Sequence, residues 1–319
     1  MDSTNISRLE EQLWPKGYRR DIWMVVDSAR DRRIFGMLLE SRLEYACLYS
    51  GVIPTVLETL APYLVQLEFE ERRCRRFLQQ AWGKSWGIFL KCDTTFDRLR
   101  KHLRGFLSVR DPGGKKLLFR YYDPRVLRTY LPTCGGEDLR TVFGPIEQFL
   151  LEGETGNTML GFGFDGVKLI REEHPVEGSR TRPMLAMAAT AVTGPLPQRP
   201  GMLSMRRDQL AAFSQAEVNK FEDWMVAHLG RFFPRQCSKL GELQLRETIQ
   251  YGIKRAASYE LLAKRDVCKY IDVMIALGRD FDKDKRYPWA AQTLAKRMNA
   301  GVKMQTVLSA ARRSLGKKR

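Results

Sequence analysis

Residues 117–132 read LLFRYYDPRVLRTYLP, and how this stretch is read decides the fold. It opens as an apolar, aromatic run of the kind that favours a strand. At Asp123-Pro124-Arg125 the pattern breaks, and Val126, Leu127 and Tyr130 follow at helical spacing. An aspartate before a helix accepts hydrogen bonds from the free backbone N–H groups of the first turn. A proline in the first helical position loses no hydrogen bond, because that N–H has no partner inside the helix. The residues therefore predict a corner, with a strand over 116–122 handing over to a helix at Asp123. The competing reading makes Asp123 a catalytic or metal-binding carboxylate.

The same alternation runs upstream. IWMVV (22–26), LEYACLY (43–49), PYLVQLEF (62–69) and GIFLKC (87–92) read as strands. Residues 29–40, 70–81 and 94–107 read as helices, the last with Phe96, Leu99, Leu103 and Phe106 on one face. Strands alternating with helices predict a mixed α/β (α+β) N-terminal lobe with a central sheet, over residues 1–141. Residues 142–202 are less regular. NTMLGFGFDGVKLIREE (157–173) predicts a hairpin about Phe-Asp-Gly, and the Pro-, Gly-, Thr- and Ala-rich residues 175–202 predict a linker.

From 203 to 319 the period is helical throughout, which predicts an all-α C-terminal lobe. A capping-box pattern at Ser214 to Glu217 predicts a helix start there, with Val218, Phe221, Trp224, Met225, Leu229 and Phe232 on one face and Pro234 beyond its end. Further helices are expected over 239–251, over 259–277 with Gly278 as its cap, from Pro288, and over 302–314.

Composition narrows the function classes. The 319 residues are 44% hydrophobic and 29% charged, and no run approaches the ~20 apolar residues of a membrane helix. The N-terminus, MDSTNISRLEEQLW, does not read as a signal peptide. Six cysteines, none in a Cys-x-x-Cys pair, read as reduced thiols of a cytoplasmic protein. The three histidines, at 102, 174 and 228, are far apart in sequence, which argues against a histidine-based metal site. The net charge of +17 is uneven: residues 201–319 carry 24 Lys and Arg against 12 Asp and Glu. Such an excess attracts acidic partners.

Three carboxylates stand at the ends of expected strands: Asp27, Asp93 and Asp123. At the ligand-binding edge of an open parallel sheet they could hold Mg²⁺ for phosphoryl chemistry, giving a metal-dependent phosphoesterase or nuclease. Each is also followed by a helix-like segment, so capping explains each one singly. No Gly-x-Ser-x-Gly occurs, and the sequence gives no cysteine a histidine companion. His102 is expected on a solvated face, His228 packed or half-exposed, and His174 in a loop. Trp224, Tyr251, Tyr259, Tyr270, Tyr287 and Trp289 lie along the basic lobe and could stack bases. Their positions on apolar faces favour core packing, and no nucleic-acid reader motif is present.

As a set, these residues resemble a known family. FRYYDPRVLRTYLP (119–132), WMVVD (23–27), Leu48 to Gly51, APYLVQLE (61–68), WGIFLKC (86–92) and KHLRGFLSVRD (101–111) occur in the order found in bacterial type VI secretion adaptor chaperones. YGI (251–253), IALGRDFD (275–282) and PWA (288–290) extend the likeness into the C-terminal lobe. The resemblance implies a non-catalytic cytoplasmic bacterial protein without cofactor or metal, in which Arg120, Tyr122, Asp123, Pro124 and Arg125 match the family signature. It implies two protein partners, a VgrG-type spike protein and a cognate secreted effector, with neither membrane nor nucleic acid as a target.

Overall fold

The computed structural model describes residues 3–18, 22–51, 53–69, 71–176, 203–296 and 298–316. The chain divides into two compact units, Met1–Phe213 and Ser214–Arg319.

The first unit runs α1 (Ser3–Leu13), β1 (Ile22–Asp27), α2 (Arg33–Ser41), β2 (Tyr45–Cys47), α3 (Thr55–Glu58), β3 (Pro62–Leu67), α4 (Arg72–Ala81), β4 (Gly87–Cys92) and α5 (Phe96–Arg104). It continues with β5 (Ser108–Arg110), β6 (Lys116–Leu118), α6 (Pro124–Tyr130), α7 (Gly136–Phe143), β7 (Ile146–Glu152), β8 (Thr158–Phe164) and β9 (Leu169–Pro175). Among the described residues, seven strands form one sheet in the order β2-β3-β1-β4-β7-β8-β9.

Helices cover both faces of this sheet. Along β1, Trp23 and Val25 enter one core cluster, together with Leu99 and Leu103 of α5 and Leu127 of α6. Ile22, Met24 and Val26 point the other way, into a cluster built on α1, α2 and α4. Alternate residues of a strand face opposite sides, so a strand buried on both sides reads as the unbroken apolar run seen in sequence. Where β1 and β4 pass, Gly87 is obligatory: a Cβ there would lie 2.0 Å from the Val25 carbonyl oxygen.

The mixed α+β lobe with a central sheet, followed by a helical region, is as the sequence predicts. Three details differ. First, every pairing in the sheet is antiparallel, so the ligand-binding edge of a parallel sheet does not exist here. Second, the expected strand over 116–122 is only β6. It pairs with β5 in a separate hairpin, closed by Asp111, whose Oδ1 accepts from the Gly113 and Lys115 amides at 2.9 Å each. Phe119, Tyr121 and Tyr122 then leave the ladder and are buried in the core. Third, α1, α3, β5, α7 and β7 go unread in the sequence, although β7 is the strand that joins the predicted hairpin β8–β9 to β4.

Most of the expected linker, residues 177–202, lies outside the described residues. After it the chain returns to the first unit. Arg110 donates its N–H to the Leu203 carbonyl at 3.0 Å and accepts from the Met205 amide at 2.7 Å. Leu203 and Met205 complete the cluster of α5 and α6, and Phe213 stacks on Tyr130.

The second unit is helical: α8 (Arg207–Phe232), of which the residues up to Phe213 belong to the first unit, α9 (Pro234–Ser258), α10 (Lys264–Leu277), α11 (Pro288–Leu294) and α12 (Ala300–Gly316). The helix expected to open at Ser214 begins seven residues earlier, where the Gln209 side chain reaches back to accept from the Arg206 amide at 2.8 Å. The expected helix over 239–251 is part of the longer α9, which is kinked at Gly241 (φ 71°). Val267, Tyr270, Ile271, Met274 and Leu277 of α10 are buried as expected, and Gly278 (φ 118°) ends that helix. Tyr270 and Tyr287 are core residues, but Trp224 and Phe232 are 52% and 60% exposed, so the apolar face read on α8 is only partly buried. Asp282, wholly buried, accepts from Arg255, Tyr259 and Tyr270, and ties α9 and α10 to the turn that follows.

Candidate functional site

β1 carries its apolar run into the core and ends on Asp27, which is only 1% exposed. A carboxylate in that position needs donors. One is local: Asp27 caps the short 3₁₀ turn Ser28–Arg30 and accepts from the Ala29 amide at 3.1 Å. The other comes from far along the chain, the Arg120 guanidinium, which pairs with Oδ2. Burial weakens the hold of Arg120 on its proton, but the bond to Asp27 outweighs that, and its pKa is raised.

Three residues on, Asp123 repeats the arrangement. It caps α6 through the Arg125 amide at 3.0 Å, and its two oxygens take the Arg125 guanidinium side-on, with Nε at 2.9 Å. Burial raises the Asp123 pKa, but hydrogen bonds from Arg125 more than cancel this and hold it below its ordinary value. Between the pairs sits buried Tyr122. Its hydroxyl is hydrogen-bonded to that of Tyr49, and burial together with the nearby Asp27 charge pushes its pKa up. Pro124 is buried in the first turn of α6.

Arg120, Tyr122, Asp123, Pro124 and Arg125 thus form one built corner, with Asp27 as its sixth member. Sequence reading missed the Asp27–Arg120 bond, because nothing local links residues 93 positions apart. The chemistry of the corner is charge neutralisation. Both carboxylates are buried behind guanidinium groups, and the Arg120 and Arg125 side chains remain 40% and 38% exposed.

The three aspartates do not converge. β4 runs antiparallel to β1, with Val26 opposite Gly87 and Trp23 opposite Leu90. Asp93, just beyond the end of β4, therefore lies at the opposite end of the strand pair from Asp27. The arrangement required for a shared Mg²⁺ is absent. Asp27 and Asp123 act as caps, as the simpler reading has it, but Asp93 does not, because α5 is capped two residues later by Thr95, whose side chain accepts from the Arg98 amide.

The histidines need correction. His102 is not solvated: its Nε2 lies 3.0 Å from the Val142 carbonyl and its ring meets Phe106 edge-on. His174 is in β9 rather than a loop. His228 is packed as expected, but it has a cysteine companion that the sequence did not reveal. Cys268 Sγ is 3.6 Å from its Nε2, and Asp272 Oδ1 is 2.9 Å from the same atom. The i,i+4 spacing of Cys268 and Asp272 was visible in sequence, whereas the approach of His228 was not. Burial and the neighbouring Asp272 carboxylate push the Cys268 thiol up to about 12, the opposite of an activated nucleophile. All six cysteines are free thiols. Among the described residues no helix is long and apolar enough to cross a membrane.

No curated protein and no solved structure matches the chain. Residues 22–141 match a protein family described as "Domain of unknown function (DUF4123)", a span that opens on β1 and contains Asp27 and the whole of the Arg120–Arg125 corner.

Proposed function

We propose that this protein is an adaptor chaperone of bacterial type VI secretion, which binds a toxic effector and loads it onto a VgrG-type spike without performing chemistry itself. The observation that carries the reading is the match over residues 22–141, a domain associated with type VI effector adaptors, coinciding with the motif residues that resemble that family. The geometry supports a non-catalytic role for those residues, because Asp27 and Asp123 spend their oxygens on backbone amides and guanidinium groups. Two protein partners held by one chain raise each other's local concentration, which is what loading requires. The second unit, with its basic excess, suits the more acidic of the two partners.

The test is a tagged pull-down from the native bacterium, washed at low and at high salt, with mass spectrometry of what is retained. Recovery of a VgrG-like protein together with one large effector supports the reading. Recovery of nucleic acid alone, or of neither protein, overturns it.

A further inference from the structure

Two helices of the second unit bring three different donor atoms to one point. Cys268 and Asp272 lie one turn apart on the same face of α10, and His228 reaches them from α8. His228 Nε2 is 2.9 Å from Asp272 Oδ1 and 3.6 Å from Cys268 Sγ, and Sγ is 3.9 Å from Asp272 Oδ2. The donor atoms of all three residues lie within 4.8 Å of one another.

An ion pair joins the histidine and the aspartate, and the thiol reaches the second carboxylate oxygen, Oδ2, at 3.9 Å. A nucleophilic relay does not fit this arrangement. In such a relay the carboxylate holds one ring nitrogen and the nucleophile addresses the other, whereas here thiol and carboxylate both face Nε2. Convergence on a common point is the geometry of metal ligation. Tetrahedral zinc, with bonds of about 2.0–2.1 Å to nitrogen and oxygen and about 2.3 Å to sulfur, sets its donors roughly 3.3–3.6 Å apart. The separations lie around that range, 2.9 Å to Asp272 Oδ1 and 3.9 Å to Oδ2, so the carboxylate must turn for one oxygen to face both the imidazole and the thiol. The donor set also selects the metal: thiolate with imidazole suits zinc, and is a poor set for magnesium or calcium.

The surroundings hold the imidazole in place. The Trp224 ring stacks on it with centroids 5.1 Å apart and planes inclined by 19°, and Phe232 approaches it at 4.8 Å. Ordered packing of this kind keeps a ligand oriented before the ion arrives.

We propose that His228, Cys268 and Asp272 form a three-ligand site for Zn²⁺, with its fourth coordination position open. On binding, the Cys268 thiol gives up its proton to solvent and the thiolate becomes the sulfur ligand. The site uses none of the residues of the Arg120–Arg125 corner, and it stands whether or not the adaptor reading does.

Cobalt is the probe, because its tetrahedral thiolate complexes absorb where zinc is silent. The full-length chain, reduced and stripped with a chelator, is titrated with Co²⁺. One equivalent should saturate a thiolate-to-cobalt charge-transfer band and quench part of the tryptophan emission through Trp224, and one equivalent of Zn²⁺ should displace it. Cys268→Ser should abolish the band, and His228→Gln and Asp272→Asn should each weaken binding at least tenfold, with circular dichroism confirming that the variants are folded. Zinc should raise the melting temperature of the wild type and leave that of Cys268→Ser unchanged. A band that survives in Cys268→Ser places the metal on another of the six cysteines and overturns the proposal. So does the lack of saturable binding by the wild type, or Asp272→Asn binding as tightly as wild type. A wild-type melting temperature indifferent to zinc leaves an ordinary ion pair beside a buried thiol.

Discussion

Arg120 bonds the buried carboxylate of Asp27 across 93 positions of sequence, tying the end of β1 to the segment that leads into α6. Removing either member has unequal consequences. Arg120→Ala strands a charge that is 1% exposed with only its backbone donor, at a cost of about 2–3 kcal/mol after allowing for the guanidinium's own exposure. Asp27→Asn keeps a capping oxygen and leaves Arg120 partly hydrated, so it should cost less. Urea denaturation at neutral pH would measure both, and a larger loss for Asp27→Asn would show that Arg120, not Asp27, is the member that tolerates losing its partner less.

Asp123 caps α6. Asp123→Ala should lower stability by about 1–2 kcal/mol, and Asp123→Asn by less, because asparagine caps almost as well. Mg²⁺ should not change the melting temperature of wild type or variants. A magnesium-dependent rise lost in Asp123→Asn would restore the metal-binding reading of this carboxylate.

Gly87 has no room for a side chain. In Gly87→Ala the new carbon meets the Val25 carbonyl at 2.0 Å, so β1 and β4 must separate. Overpacking at the centre of a sheet costs about 3 kcal/mol or more, and the variant should be poorly soluble or melt well below wild type. A melting temperature within a degree or two of wild type would show that the strands part freely.

His102 makes stability depend on mild acid. Burial lowers its pKa, with the bond to the Val142 carbonyl acting weakly the other way. The unfolded chain therefore takes up this proton more readily than the folded one. Its share of stability is complete above the unfolded value of about 6.5 and is lost as the pH falls toward the lower folded value, by at most about 1.4 kcal/mol per pH unit. Denaturation series at pH 7.5 and pH 5.5 should show the loss, and His102→Gln should reduce it.

The basic excess of residues 201–319 predicts an electrostatic partner contact. Its affinity should fall markedly from low to high salt, chiefly through slower association. Titration calorimetry or surface binding at two ionic strengths would read this directly, and an unchanged affinity would refute it.

Sequence legibility followed the range of the forces involved. β1, β3 and β4 were readable because helices cover both faces of the sheet and all their positions but Asp27, Gln66 and Lys91 are apolar. The Asp123-Pro124 corner was readable because a cap bonds to its own neighbours. Strand direction was not, since β1 and β3 run antiparallel yet, with α2, β2 and α3 between them, show the same alternation as a parallel crossover. β6 was overread at its end because Phe119, Tyr121 and Tyr122 are as apolar as a strand, yet serve as core packing after the ladder ends. The Cys268–His228 approach lay beyond reach, since it depends on how α8 and α10 pack.

The return of the chain at Leu203 bears on how the protein can be cut. The first unit is stitched from two stretches, 3–176 and 203–213, with Leu203, Met205 and Phe213 as the second stretch's share of its core. A protease nicking the chain between 177 and 202 would not liberate two self-sufficient halves; the N-terminal piece would keep its complement bound along Arg110. An expression boundary drawn at 203 would amputate the first unit, and one drawn after Phe213 would spare that unit but cut α8.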